Sequence, residues 1–363
     1  MKQFRAAVWG AGTIAQTHAE ILKEQGIVIE WVVDANIERA KEFAERFGVS
    51  HYSNNGEDIL NSEVDVVHVC TPPNLHYKMV RELLGKNYHV FCEKPMCFSN
   101  AEAAELYKIA EEKGLIHGVD FNVRYHKGVQ EARRRVQNGD LGALRLIHGS
   151  YLQEFNAFPA PLDWRYNEAL AGKMRAVTEI GSHWADLIGY ITEEKITSVS
   201  AVFSGFRPQR VLKDGMMYAP HQESGDPIIV SSEDAAVVNF KTANGVLGNV
   251  VLCEASPGRI NRLSFEITGE EQNIWWDSEN NNTLHIGTKN HGSTTWVYPF
   301  NGGFRDTQRC LMQAFYKDVS SGIRSASCYP TFIDGATSVR ICNAIYESAT
   351  QGGKWITVEE EEE

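Results

Sequence analysis

Gly10-Ala11-Gly12-Thr13-Ile14-Ala15 decides how this chain folds, because of what stands on either side of it. Phe4 to Val8 alternates as a short strand and Thr13 to Glu24 has helical spacing, so the glycine-rich run is the turn of a strand-turn-helix unit. There Gly10 permits the tight turn, Gly12 lets backbone approach a pyrophosphate, and Ala15 lets helix pack closely on strand. The helix start, Thr13 and Ile14, offers unpaired N–H groups and a positive dipole end to an anion. A second strand, Ile27 to Val33, ends at Asp34, 22 residues after Gly12. A carboxylate there accepts hydrogen bonds from the adenosine ribose and repels a 2′-phosphate, which points to NAD rather than NADP; Arg39, one helical turn on, pulls the other way. The competing reading of Asp34 is a cap for the helix that begins near Asn36.

Working outward, the same alternation continues. Helices are expected over Ile37 to Phe47, near Glu57 to Asn61, and over Leu75 to Leu84 and Ala101 to Lys113, with strands over Val64 to Cys70, Tyr88 to Cys92 and Leu115 to Phe121. Strands alternating with helices of this length build a parallel sheet covered on both faces, here a doubly wound Rossmann domain over residues 1–122. Functional groups then collect at the carboxyl ends of the strands, which carry Gly10, Asp34, Thr71-Pro72-Pro73-Asn74, Glu93-Lys94-Pro95 and Asn122. Lys94 is the chemical centre of this set. The proline after it removes a donor, confines Lys94 to extended geometry and makes the bond a candidate for the cis form.

After Val123 the pattern changes. A helix from Lys127 to Asn138 is followed by a strand from Leu144 to Phe155, an aromatic-rich loop to Tyr166, and a helix near Thr178 to Ile191. Strands are then expected over Thr197 to Phe206, Ala235 to Lys241, Leu247 to Glu254, Leu263 to Gly269, Asn273 to Asp277, Thr283 to Ile286 and Thr295 to Val297, joined by Gly, Asn and Asp turns. Such strands form an antiparallel sheet, so residues 123–363 read as an α+β domain with an open face. Phe206 to Ser231 has weak periodicity and reads as a lid or an intersubunit arm. Helices over Asp306 to Ser320 and Tyr329 to Thr350 close the chain, and the acidic run Glu359 to Glu363 reads as a solvated tail.

Composition narrows the function. With 363 residues, 43% apolar and 23% charged, two globular domains are the natural prior. A net charge of -12 argues against nucleic acid or an anionic membrane, both of which need basic patches. Nothing has the length of a signal-peptide core or a membrane span, which makes the cytoplasm the default location. The seven cysteines include no CxxC pair, hence neither a disulfide framework nor a zinc pattern, and no metal is expected.

Ala171 to Leu187 is the second chemical centre. On a helix Glu179, His183 and Asp186 share one face, so that an acid can orient an imidazole. Here the chain resembles the glucose-fructose oxidoreductase/inositol dehydrogenase (Gfo/Idh/MocA) family of NAD(P)-dependent oxidoreductases. The matching segments are the glycine-rich turn, Thr71-Pro72-Pro73-Asn74-Leu75-His76, Glu93-Lys94-Pro95, Asn122-Val123-Arg124-Tyr125, Asp163-Trp164-Arg165, Ile180-Gly181-Ser182-His183 and Tyr329-Pro330-Thr331-Phe332-Ile333-Asp334-Gly335. The resemblance implies a Rossmann domain followed by a domain with a large open antiparallel sheet used for homodimer or homotetramer contacts. It also implies that Lys94 and His183 flank a substrate alcohol. The chain departs from the family where Glu179 replaces the usual Asp, and where Lys173-Met174-Arg175 replaces a glycine-rich run, a change expected to narrow or charge the pocket.

Candidate cofactor-binding residues are therefore Gly10, Gly12, Thr13, Ile14, Asp34, Arg39, Thr71, Pro72, Asn74, His76, Glu93, Lys94, Asn122 and Arg165. Lys94, Arg124, Gln153, Trp164, Tyr166, Glu179 and His183 are candidates for a carbohydrate-like substrate, with Lys94, His183 and Glu179 as the catalytic set. An imidazole suits the abstraction of a hydroxyl proton near neutrality, and an ammonium suits the oxygen left negative. The expected reaction is hydride transfer between NAD and a secondary hydroxyl or ketone of a sugar, inositol or sugar derivative. The alternatives are a glycosidase or lyase running an internal redox cycle on tightly bound NAD, and a non-catalytic NAD-binding sensor.

Overall fold

The computed structural model describes residues 4–299, 302–325 and 329–359, so residues 360–363 of the acidic run lie outside the described part. The first elements are β1 (Arg5–Trp9), α1 (Thr13–Glu24), β2 (Val28–Val33), α2 (Ile37–Phe47), β3 (His51–Ser53), α3 (Glu57–Leu60), β4 (Val66–Val69), α4 (His76–Gly85), β5 (His89–Cys92), α5 (Asn100–Glu112) and β6 (His117–Val119). They form a six-stranded parallel sheet in the order β3-β2-β1-β4-β5-β6. The order reverses between β1 and β4, the switch point where such sheets open a crevice beyond their carboxyl ends. Every residue of β4 is buried, as a strand covered on both faces requires. Helix starts follow local chemistry: Asn36 caps α2 by accepting from the Glu38 and Arg39 N–H groups, and Ser99 forms a capping box with Glu102 on α5. The short, mostly exposed β3 was not expected, since three residues carry no readable alternation.

Next come α6 (Lys127–Gln137), β7 (Leu144–Leu152), β8 (Ala160–Pro161), α7 (Glu168–Ala171), a π-helical turn (Val177–Gly181) and α8 (Ser182–Thr192). Strands β9 (Ile196–Ser204), β10 (Gln209–Lys213), β11 (Met216–Tyr218), β12 (Asp226–Ile229), β13 (Ala235–Thr242) and β14 (Leu247–Cys253) follow. β15 (Arg262–Gly269), β16 (Gln272–Asp277), β17 (Thr283–Thr288), β18 (Gly292–Val297), α9 (Phe304–Ser321), α10 (Phe332–Thr350) and β19 (Ile356–Thr357) complete the chain.

Two compact units result: residues 1–122 with 304–339, and residues 123–303 with 340–363. The first is centred on the parallel sheet, whose core takes in Val67, Val69, Val90 and Cys92 together with Phe332, Ala336 and Val339 of α10. The second holds a nine-stranded sheet in the order β18-β17-β16-β15-β7-β14-β13-β9-β19. It is antiparallel at every junction except β7–β14, which is parallel. That is a refinement of the expected antiparallel sheet, and it comes from pairing two strands with most of the domain between them. Trp184, Leu187, Ile188 and Ile191 of α8 pack on Ile147, Leu252, Leu263 and Phe265. The stretch Phe206 to Ser231 supplies three strands of a separate four-stranded sheet, β12-β10-β11-β8.

Candidate active site

The turn after β1 is shaped for close approach. Gly10 has φ +101°, and a Cβ there would lie 2.7 Å from the Cys70 carbonyl, so both conformation and space demand glycine. A Cβ on Gly12 would meet nothing within 4 Å, and no side chain caps the first N–H groups of α1. This cradle fits the pyrophosphate of a dinucleotide. Asp34 Oδ2 accepts the Ala11 N–H at 2.9 Å and Oδ1 accepts the Asn36 N–H at 2.9 Å, tying the end of β2 to the turn. The Arg39 guanidinium stands 3.7 Å from Asp34 Oδ2. The helix cap is Asn36, not Asp34.

Beyond β4, His76 joins two loops. Its buried ring engages the Pro95 carbonyl through Nδ1 and the Thr71 carbonyl through Nε2, each at 2.8 Å. It thereby holds the Thr71-Pro72 segment against the segment that follows Lys94. Asn74 is exposed, while Asn122 is buried and donates to Thr307 at 2.8 Å. Lys94 is the second residue after β5 and precedes a cis bond to Pro95. Its backbone N–H donates to Glu93 Oε2 at 3.3 Å. Glu93 Oε1 lies 3.1 Å from His18 Nε2, and Asp120 Oδ2 is 3.6 Å from the same nitrogen. His18, His68 and Asp120 are buried polar groups that the sequence reading missed. The available signal was His18 itself, at a core position of the stripe Ala15, His18, Ala19, Leu22.

In the second unit His183 is the second residue of α8, half-buried, with its ring 6.4 Å from that of Tyr151. Burial raises the Tyr151 phenol to about 12. The expected uninterrupted α-helical stripe is corrected in two ways. Val177–Gly181 is a π-helical turn, and both acids are engaged by arginines: Glu179 Oε2 accepts from Arg165 Nε at 2.9 Å, and Asp186 takes a two-pronged bond from Arg124. Arg124 is buried in that pair, and Arg165 also donates to Asp163 and lies 4.6 Å over the Trp164 ring. Gln153 is buried and donates to Asn261 at 2.6 Å.

Of Lys173-Met174-Arg175, only Lys173 is exposed. Lys173 Nζ sits 5.4 Å over the Tyr346 ring, Met174 is in the core, and Arg175 is 0% exposed. Arg175 donates to Tyr166 Oη at 2.9 Å, to Asp234 and to the Glu233 carbonyl, and pairs with Glu254 at 3.2 Å. Arg210 reaches the same Asp234, and the guanidinium groups of Arg175 and Arg210 lie over the Tyr166 ring at 4.4 and 5.2 Å. Glu233 caps the turn that leads to His183, accepting the Arg175 and Val177 N–H groups at 3.0 and 2.9 Å.

Two family models match the chain: the oxidoreductase family with an NAD-binding Rossmann fold over residues 4–121, and the GFO/IDH/MocA C-terminal domain over residues 129–275. By class, then, the chain is an NAD-binding oxidoreductase. It belongs to the Gfo/Idh/MocA family. Among curated relatives, levoglucosan dehydrogenase of Pseudarthrobacter phenanthrenivorans is 29% identical over 353 residues, spanning 90% of this chain and 88% of its own. Myo-inositol 2-dehydrogenase of Thermotoga maritima is 27% identical, spanning 88% and 89%. A solved levoglucosan dehydrogenase in complex with NADH and L-sorbose superposes with a TM-score of 0.90 at 26% identity, covering 98% of this chain and 99% of that one.

Proposed function

We propose that the chain catalyses NAD-dependent oxidation of a secondary hydroxyl in a sugar, inositol or sugar derivative, or reduction of the matching ketone. The observation that carries the reading lies at the carboxyl edge of the parallel sheet. β1, β4 and β5 are neighbours, so the Gly10 cradle, the Thr71 loop and Lys94 share one edge. The names of the relatives, dehydrogenases of an anhydrosugar and of inositol, support the substrate class.

Gly10, Gly12 and the start of α1 would hold the pyrophosphate, and Asp34 the adenosine ribose. Bound NAD would supply the acceptor for the hydride. His183 is assigned as general base for the hydroxyl proton, and Lys94 as the cation that hydrogen-bonds the oxygen as it gains charge. In the reducing direction His183 returns the proton. Glu179, with Arg165 on one oxygen, is assigned to substrate or to the setting of His183. The test is a screen of sugars, sugar acids and inositols with NAD and NADP, followed at the absorbance of the reduced nicotinamide. Net NADH formation supports the reading, whereas product without net NADH favours an internal redox cycle.

Asp34→Asn isolates the carboxylate charge, since the amide oxygen can still accept the Ala11 or Asn36 N–H. Losing a charge-assisted bond to the ribose is expected to lower kcat/KM with NAD about 10-fold. Use of NADP should rise as Arg39 is released, and unchanged selectivity in steady-state kinetics would remove Asp34 from the cofactor site. For assembly, Val202, Val237 and Val251 form one exposed cross-strand row over β9, β13 and β14. We infer that a second copy covers this row in a homo-oligomer. Val237→Lys is then expected to lower the mass measured by light scattering, and an unchanged mass would count against this interface.

A further inference from the structure

Beneath the carboxyl edge of the parallel sheet a buried hydrogen-bonded chain runs from α9 to the backbone of Lys94. Tyr316 Oη is 2.9 Å from His68 Nε2, His68 Nδ1 is 3.0 Å from His18 Nδ1, and His18 Nε2 is 3.1 Å from Glu93 Oε1. Glu93 Oε2 then accepts the Lys94 N–H. His18 and His68 are 0% exposed, Asp120 is 3% and Glu93 9%. The two Nδ1 atoms face each other, so one must donate and the other accept. His18 also faces two carboxylates through Nε2. Two arrangements satisfy these distances: a neutral His18 accepting from His68 with Tyr316 donating to His68, or a His18 imidazolium that donates to His68 through Nδ1 and to Glu93 through Nε2. The two buried carboxylates at Nε2, Glu93 at 3.1 Å and Asp120 at 3.6 Å, favour the imidazolium. With His18 charged, His68 is neutral and donates to Tyr316.

We propose that His18 is a positioning residue for Lys94: as a buried cation between Glu93 and Asp120 it fixes the carboxylate that holds the Lys94 backbone. This rests on the assignment of Lys94 to the substrate oxygen. The groups facing the cluster are His18 of α1, His68 and Cys70 of β4 and its end, Glu93 after β5, Asp120 after β6, and Gln308 and Tyr316 of α9. Their proton affinities agree with the geometry. Burial depresses His18, but Cys70, Asp120 and Glu93 more than compensate and hold it well above the usual value. Burial and the His18 charge hold His68 well below it. Burial and the Asp120 charge, opposed by His18, raise Glu93 to about 7. The acidic limb of turnover therefore contains Glu93 as well as any catalytic base. Removing the His18 cation raises Glu93 further and moves that limb to higher pH.

The experiment measures kcat, KM, NAD affinity and the pH dependence of kcat for wild type, His18→Gln, Glu93→Gln, the double variant and Lys94→Ala. His18→Gln is expected to lose roughly 10- to 100-fold in kcat through displacement of Lys94, with KM and NAD affinity nearly unchanged. Its acidic limb should shift upward, and the double variant should lose no more than the worse single one. A His18→Gln enzyme with wild-type kcat and pH profile, beside an inactive Lys94→Ala, overturns the positioning role alone. An active Lys94→Ala overturns the assignment of Lys94 and this proposal with it. Nitrogen NMR of histidine-labelled wild type gives a readout that needs no variant. Protonation of both His18 nitrogens with a neutral His68 at pH 7 supports the proposal, and a neutral His18 overturns it. One equivalent of tightly bound zinc, whose removal by chelation abolishes activity, would also overturn it, because His18, Glu93 and Asp120 would then be ligands.

Discussion

Lys94→Ala and His183→Ala are each expected to lower turnover by roughly 100- to 1,000-fold, the usual cost of losing an oxyanion donor or a general base. Neither change touches the Gly10 turn or the Asp34 carboxylate, so NAD affinity, measured by quenching of protein fluorescence, should stay within a few fold. The two losses should separate by pH. Lys94→Ala removes stabilisation of charge on the oxygen and should depress kcat at every pH. His183→Ala removes the group whose proton must leave, so its residual rate should climb as hydroxide takes over. Lys94→Arg keeps the cation but replaces a compact ammonium by a planar fork, and is expected to recover only a small part of the activity. Near-normal turnover in both alanine variants would leave the chain an NAD-binding protein whose chemistry lies elsewhere.

What was legible in the sequence is what local spacing records. The Gly10 to Ala15 turn, α1, α2 and the ends of β4 and β5 follow from periodicities and caps that lie within a dozen residues of one another. Asp34 and Lys94 are readable because a parallel sheet puts strand ends on one edge. The parallel β7–β14 pair leaves no local mark, since nothing in either strand names its partner. The π-helical turn before His183 is likewise invisible, because the carboxylate that caps it, Glu233, stands 56 residues beyond Val177. Arg175 is the sharpest case. In sequence it is a cation beside the candidate site, whereas in the fold Asp234, Glu233 and Glu254 draw it into the interior.

That burial leads to the largest expected effect on stability. Arg175→Met keeps most of the side-chain volume and deletes the charge, leaving Asp234 and Glu254 buried with one less cation. Breaking a buried ion pair from one side costs about 3 to 5 kcal/mol. In a unit of this size that corresponds to a Tm lower by roughly 10 °C at pH 8. The loss should depend on pH in a definite sense. Burial raises Glu254 to about 7 even with Arg175 beside it, opposed by that arginine and reinforced by Glu179 and Glu233. Its folded-state value therefore lies above the unfolded value of about 4.3, so the native state binds the extra proton and stability falls as pH rises through that window. Without Arg175 the Glu254 pKa rises further, the carboxyl stays neutral at pH 6, and Arg175→Met should lose less Tm there than at pH 8. Glu254→Gln, which can still accept from Asn156, should restore part of the loss in the Arg175→Met background at pH 8. Equal losses at both pH values, with no rescue by Glu254→Gln, would mean that Arg175 stabilises through its packing on Tyr166 and not through its charge.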